Sequence, residues 1–468
     1  MTKNRTILAG VLAAVVAVIL AVWLIPVGST PAGKGVVLDN EAPTPSSTLS
    51  SEAVATEEPT PEPSPTASPT TADGGGTAED VIYRVQPSVN GDGSMVAFVV
   101  AVPWETGELH SDVYVRSRSS HSTTLISISS DGESGNLDSW NPAISADGTK
   151  VAYISTSSNL VPEDTNDVAD VFVRDLVKHT TTRISVSSDG RQATATSGFP
   201  FYATGDGYPV GHPPALSEDG RYIAFVSQEV DLAPGDTSNE ADVFRHDLST
   251  GETILVSAGP DGMSADDVGP NVSISADGRF VAFDAEDLSP PLPPTGNARR
   301  VYVRDIQEGT TTLVSLDDDG EPLSGVSSNA AVAADGRSVA FVWRHVEQDQ
   351  ETWDVMKRIL SPGSTTTIAT CGVDACGEVA LSVDGSVAAF TKYLGGLDPF
   401  CYIAGATPQY LGSCDGDHIA VSANGRWIAF EAGLDSLSDP ADEEKFGGNY
   451  GAMLYDRSNN DYTAAWLI

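Results

Sequence analysis

Basic residues are scarce in this chain. Lys and Arg together number 25 against 65 Asp plus Glu, which leaves a formal charge of −40 over 468 residues. A field of that sign repels phosphate, so a nucleic-acid binder is excluded and adsorption to an anionic lipid surface is disfavoured. Cysteine is rare too, with four in the chain. Three familiar catalytic signatures are missing: no G-x-S-x-G elbow, no H-E-x-x-H and no Walker loop occurs. Charged residues make up 19% and hydrophobic residues 40%, a balance that argues against disorder throughout. The 44 Gly and 29 Pro suit many turns and few long helices. A single core rarely grows beyond roughly 250–300 residues, so this length implies several domains or a repeat architecture.

One long apolar run is present. Ile7 to Ile25 contains 19 residues without a charge or a strongly polar side chain. At 1.5 Å per residue it spans about 28 Å, close to the hydrocarbon core of a bilayer. Lys3 and Arg5 precede it, which keeps the amino end in the cytoplasm. The expectation is a cytoplasmic segment 1–6 and a transmembrane anchor 7–27, with the rest of the chain extracytoplasmic at the cell membrane. A cleaved signal peptide and a secreted product are the alternative, but signal h-regions usually run about 7–15 residues. No Cys follows the run, which excludes a lipoprotein anchor. Residues 28–80 are dominated by Pro, Thr, Ser and Glu, as in EEPTPEPSPTASPTTADGGG. They read as a disordered linker, because so little can be buried to offset its ordering entropy.

Beyond residue 80 one pattern recurs seven times. SVNGDGSMVAF ends at Phe98, AISADGTKVAY at Tyr153, ALSEDGRYIAF at Phe225 and SISADGRFVAF at Phe283. AVAADGRSVAF ends at Phe341, ALSVDGSVAAF at Phe390 and AVSANGRWIAF at Phe430. The closing aromatics lie 40 to 72 residues apart, a period typical of propellers and solenoids. Asp-Gly or Asn-Gly between short apolar runs is a strong hairpin signal, because such turns need positive φ. Each second strand carries Ala just before its aromatic, and alternation sends the two to opposite faces. A third strand (DVYVR at Asp112, DVFVRD at Asp170, RVYVRD at Arg300) and a fourth (TTLISIS at Thr123, TTRISVS at Thr181) follow most hairpins. The expected fold is all-β: a seven-bladed β-propeller of four-stranded antiparallel blades over 81–468, preceded by one transmembrane helix and the linker. A strand-like VIYRV, Val81 to Val85, is a candidate for closing the ring.

The pattern SxDGRxVAFxS…LVPxDTN…DVFVRDL…TTRxSVSSDG resembles the TolB-like, or WD-like, propeller repeats. It is best matched from Ala143 to Gly190 and from Ala215 to Gly262. The resemblance implies a propeller. It does not imply a Tol-system role or a peptidase, since neither the α/β domain of TolB nor a hydrolase domain is recognisable in this sequence.

In antiparallel blades the loops alternate between two ends. The Asp-Gly turns and the third-to-fourth turns are short, as in VKHT, STGE and QEGT. The second-to-third loops are long, as in SSNLVPEDTNDVA, QEVDLAPGDTSNEA and EDLSPPLPPTGNA. Elaboration therefore falls on one face, the expected binding face. The 72-residue repeat places Phe199, Phe201, Tyr202, Tyr208 and His212 in one blade connection, and aromatics on a rigid scaffold suit sugar stacking or a protein hot spot. A satellite core under the loop is the competing explanation.

No cofactor is expected, calcium excepted as a candidate. Two loops carry oxygen-rich spacings that suit a hard cation: Asp164, Asn166, Asp170 and Asp236, Asn239, Asp242. Neither matches an EF-hand, and Asx turns account for the same residues. Four cysteines allow three pairings. Cys371–Cys376, closing a blade connection, and Cys401–Cys414, at the same end of adjacent strands in the sixth blade, are favoured over a zinc site, whose usual spacings are not met. Seven His residues are scattered without a tight pair. Arg174, Asp175, Asp247, Arg304 and Asp305 recur from blade to blade and read as part of the fold. The functional expectation is a membrane-tethered binding scaffold for a protein partner or a cell-wall glycan. An extracytoplasmic carbohydrate-active enzyme with an axial site, or a structural part of an envelope complex, are the alternatives.

Overall fold

The computed structural model describes residues 86–103, 109–198, 201–202, 209–210, 213–237, 240–259, 262–265, 267–286, 288, 299–396, 399–405, 407–414, 418–433 and 450–464. Residues 7–27, the linker 28–80 and the segment Val81 to Val85 lie outside them. Among the described residues no helix is long and apolar enough to cross a membrane.

Seven four-stranded antiparallel sheets follow one another along the chain, each with its strands in sequence order. Blade 2 is typical: Ser139–Ile144, Lys150–Ser155, Asp170–Asp175 and Thr180–Arg183. The innermost hairpin has a side-chain reason for its recurring Ser-x-Asp-Gly. In blades 2, 3, 4 and 6 the Ser hydroxyl (Ser145, Ser217, Ser275, Ser382) donates to the turn Asp at 2.6–2.8 Å. The same oxygen accepts the N–H five residues on, where the second strand starts or is about to start, at 2.9–3.0 Å. The hydroxyl thus joins both arms of the turn while the Gly takes positive φ, +71° at Gly148. Blade 7 keeps this device with Ser422 and Asn424.

The Ala-aromatic alternation packs the blades. Ala97, Ala152, Ala224, Ala282, Ala340, Ala389 and Ala429 are fully buried. In five blades the closing aromatic pairs with one on the third strand, as in Tyr153–Phe172 with ring centroids 5.9 Å apart. Blades 5 and 7 set Met356 and Met453 opposite Phe341 and Phe430 instead. The recurring charges serve the same scaffold. Arg221, Arg279 and Arg426 grip Asp247, Asp305 and Asp456 in two-point contacts of 2.6–2.9 Å. Arg174 and Arg304 donate to Thr181 and Thr311 on the fourth strand.

The ring closes without an exchanged strand among the described residues. At the hairpin end, backbone N–H groups of Gly91, Asp147, Glu218, Ala276, Asp335, Val383 and Asn424 each donate to the next blade around, at 2.9–3.4 Å. The last of these runs from Asn424 of blade 7 to the Gly91 carbonyl of blade 1. A Cβ on Gly91 would stand 2.8 Å from the Ala146 carbonyl oxygen, so the collar needs glycine there. Behind it, Val89, Val96, Phe98 and Val100 pack on Trp427, Ala429, Ala452 and Leu454. The Arg118 guanidinium lies 3.9 Å over the Trp427 ring.

Blades 5 and 6 depart from the pattern. In blade 5 the second and third strands, Ser338–Glu347 and Gln350–Ile359, form one long hairpin whose two turn residues, Gln348 and Asp349, have positive φ. Blade 6 takes its third strand from Pro399–Ile403, a stretch without the DVFVRD signature. Both expected disulfides are present: Cys371–Cys376 bridges blades 5 and 6, and Cys401–Cys414 links the outer strands of blade 6.

Candidate functional site

One position lies four residues before the motif Ser, or the residue equivalent to it, in every blade. Around the ring that position holds Gln86, Asn141, Pro213, Asn271, Asn329, Glu378 and His418. Six of the seven are polar, and they stand at the loop-rich end, where blade connections enter the axis. Gln86, Asn141 and Asn329 take left-handed backbone, with φ between +34° and +55°. Asn tolerates that region better than most residues. Register shifts fall beside this position in blades 2, 4, 5 and 6, between Trp140 and Ala143, Val268 and Val272, Ser328 and Ala331, and Cys376 and Val379. Such bulges re-aim side chains next to sites.

The rim groups are bonded to one another in an arc. Asn141 N–H donates to Gln86 Oε1 at 2.8 Å. Asn271 donates to Asn329, whose own amide donates to the Gly377 carbonyl at 2.9 Å. Glu378 Oε2 accepts the Ile419 N–H at 3.2 Å and lies 3.7 Å from His418 Nδ1. Behind Asn329, Asp284 accepts its N–H at 3.3 Å and meets Arg299 at 3.1 Å. Burial raises the Asp284 carboxyl to about 6 despite that guanidinium. Asn141 is 1% exposed, and neither atom of its amide group has a hydrogen-bond partner.

Below the rim lies a cavity of about 280 Å³ bounded by all seven innermost strands. Asn271, Asn329 and Glu378 line one end, and the collar residues Gly91, Ala146 and Ala423 line the other. Its wall residues are mainly small or aliphatic, and peptide groups are exposed between them.

The aromatic cluster expected from the sequence falls mostly outside the described residues. Phe199, Tyr208 and His212 are not among them. Phe201–Tyr202 pairs with Pro209–Val210 as a short two-stranded sheet, and their side chains lie outside the described residues. Of the cation candidates, Asp164, Asn166 and Asp170 do converge. Arg183 Nη1 stands 3.1 Å from Asp164 and 3.7 Å from Asp170, while Asn166 donates to Asp170 at 2.8 Å. A guanidinium of the chain itself thus occupies that loop in blade 2. Asp236 and Asp242 are buried in blade 3, and Asn239 lies outside the described residues. Among the described residues no three His, Cys, Asp or Glu side chains form a metal cluster. His246, scattered by sequence, pairs with Thr253 at 2.9 Å in the place where blades 1, 2, 4 and 5 have an Arg–Thr contact. The axial rim was not foreseen by residue, although its signal is a polar side chain at a fixed offset from the turn.

The fold is that of known propellers. No family model matches the chain, and no curated protein does. The propeller domain of the trilobed protease from Pyrococcus furiosus, described as having an open velcro topology, aligns with a TM-score of 0.50 at 13% identity. That alignment covers 82% of this chain and 95% of that one. An oligogalacturonate lyase in complex with manganese aligns at 0.49 and 14% identity, over 80% of this chain and 89% of that one. A TolB-like protein from Agrobacterium tumefaciens aligns at 0.36 and 12% identity, over 62% and 81%. At these identities the likeness concerns the fold alone.

Proposed function

We propose that the chain is an extracytoplasmic binding scaffold, held at the cell membrane by residues 7–27, that takes a protein partner or a cell-envelope glycan at the axial mouth of its loop-rich face. The observation that carries this reading is one axial cavity of about 280 Å³, bounded by all seven innermost strands, with Asn271, Asn329 and Glu378 in its lining. Amides and carboxylates are the usual partners of hydroxyl and peptide groups, and Asn271, Asn329 and Glu378 present such groups in the cavity lining. The net charge disfavours a polyanionic glycan. Two disulfides suit an oxidising compartment.

The test is capture from intact envelope with the soluble 81–468 fragment, followed by a glycan array. Binding that falls at least tenfold in Glu378→Gln or Asn271→Ala, with unchanged thermal unfolding, supports the axial mouth. Binding indifferent to both substitutions moves the site elsewhere. One observation favours an enzyme as the second reading: His418 Nδ1 stands 3.7 Å from Glu378 Oε2 on the same rim. Turnover of a captured glycan that is lost in Glu378→Gln while binding persists would establish it.

A further inference from the structure

Blades 2 and 3 treat the same loop differently. In blade 2 the second-to-third connection runs Leu160-Val161-Pro162-Glu163-Asp164-Thr165, and in blade 3 it runs Leu232-Ala233-Pro234-Gly235-Asp236-Thr237. Blade 2 neutralises its carboxylates internally. Arg183 ion-pairs with Asp164 and Asp170, and Gln192 Nε2 donates to the same two residues at 2.8 and 3.4 Å.

Blade 3 lacks both of these groups. Strand register places Leu255 opposite Phe244, as Arg183 stands opposite Phe172. The equivalent bridges place Ser264 where blade 2 has Gln192. Leu255 still reaches the loop: its Cδ2 is 3.5 Å from the point a Cβ on Gly235 would occupy. Asp236 is nevertheless 1% exposed, tighter than a lone carboxylate tolerates. Its Oδ2 accepts the Leu232 N–H at 3.0 Å, and its Oδ1 has no partner. Asp231 and Glu229 add further negative potential. Glu229 is itself held by Arg191, Thr194 and Ala195. The second carboxylate, Asp242, is fully buried with the Ser257 hydroxyl on Oδ1 at 2.6 Å.

We propose that a calcium ion fills in blade 3 the place that the Arg183 guanidinium fills in blade 2, with Asp236 Oδ1 as its anchoring ligand and Asp242 as the second carboxylate. The donors are oxygens, which suits a hard cation. Two carboxylates are fewer than calcium's usual six to eight ligands, so backbone carbonyls and solvent complete the shell. The site lies off the axis, and neither it nor the axial reading depends on the other.

The test uses the full-length chain in detergent after chelation, titrated with CaCl2 in a calorimeter and followed by thermal unfolding. One calcium is expected per chain, with unfolding raised by about 5 °C at a hundredfold excess over Kd. Asp236→Asn should bind no calcium and should unfold without added calcium no earlier than the wild type, because it removes a buried unpaired charge. Leu255→Arg should import the blade 2 solution, raising the unfolding temperature in EDTA and abolishing the calcium response. Arg183→Leu should create a second calcium-responsive loop. The proposal is overturned if the folded wild type shows no calcium binding, if Asp236→Asn binds as well as wild type, or if only Mg2+ or K+ gives the stabilisation.

Discussion

His246 shows how one residue adapts to a repeated contact. Arg116, Arg174, Arg304 and Arg358 reach the fourth-strand Thr of their blades at 2.7–3.0 Å. In blade 3 the imidazole of His246 makes that contact, and Thr253 passes a hydrogen bond on to the Val186 carbonyl of blade 2. Burial holds the imidazole down to about 4, well below its ordinary value of 6.5, so the folded chain keeps it neutral. A depressed folded pKa means stability that is present above the unfolded value and lost as pH falls. The His246 share is therefore complete above pH 6.5 and fades toward pH 4, by about 3 kcal/mol in all. Asp170 and Asp284, each raised to about 6 chiefly by burial, act in the opposite sense over much of the same window. The difference between wild type and His246→Arg isolates the histidine. That variant should gain on the wild type as pH falls from 6.5 to 4, measured by urea unfolding across the range. Parallel pH curves for the two proteins would refute the assignment.

At the scale of elements, blade 6 is the outlier. It takes Pro399–Ile403 and Gln409–Ser413 as its outer strands, and these lack the Arg and Thr that pair in blades 1, 2, 4 and 5. Cys401–Cys414 spans 13 residues and ties those strands together. Opening a loop of that length costs about 3 kcal/mol in chain entropy. Replacing both cysteines with Ser should lower stability by that amount, with hydrogen exchange accelerating first in blade 6. Uniform exchange across all blades would contradict a local role. The hairpins were legible element by element, because Asp-Gly and the alternation of Ala with an aromatic report turn and pleat directly. The cysteine pairs were legible too, since each is close in sequence. The blade 5 hairpin was not: Gln348 and Asp349 do not form a usual Asn-Gly or Asp-Gly turn, yet both adopt positive φ.

For the whole molecule the critical joint is the seam between blades 1 and 7. It carries the final collar bond from Asn424 to Gly91, the apolar cluster around Trp427 and the Arg118 contact on its ring. Trp427 is 6% exposed, so Trp427→Ala should cost about 3–5 kcal/mol. Because the joint closes the ring, the loss should appear as faster proteolysis within blades 1 and 7 before the middle blades. Cleavage spread evenly over the chain would argue that the seam is no weaker than any other. The axial rim belongs to this scale as well. Gln86 and His418 are more than three hundred residues apart in the chain and meet on one ring only because the circle closes.

The residues alone determined the blade: a turn that requires positive φ, a small face against a large one, and seven repetitions of both. They also determined the sign of the field and the two covalent links. Which polar side chains converge was decided by closure, since a ring brings together positions that no local spacing relates. The contrast between Arg183 and Leu255 was decided the same way. Register and burial, not the similar acidic spacings of the two loops, show that Arg183 stands beside the blade 2 carboxylates where blade 3 has Leu255.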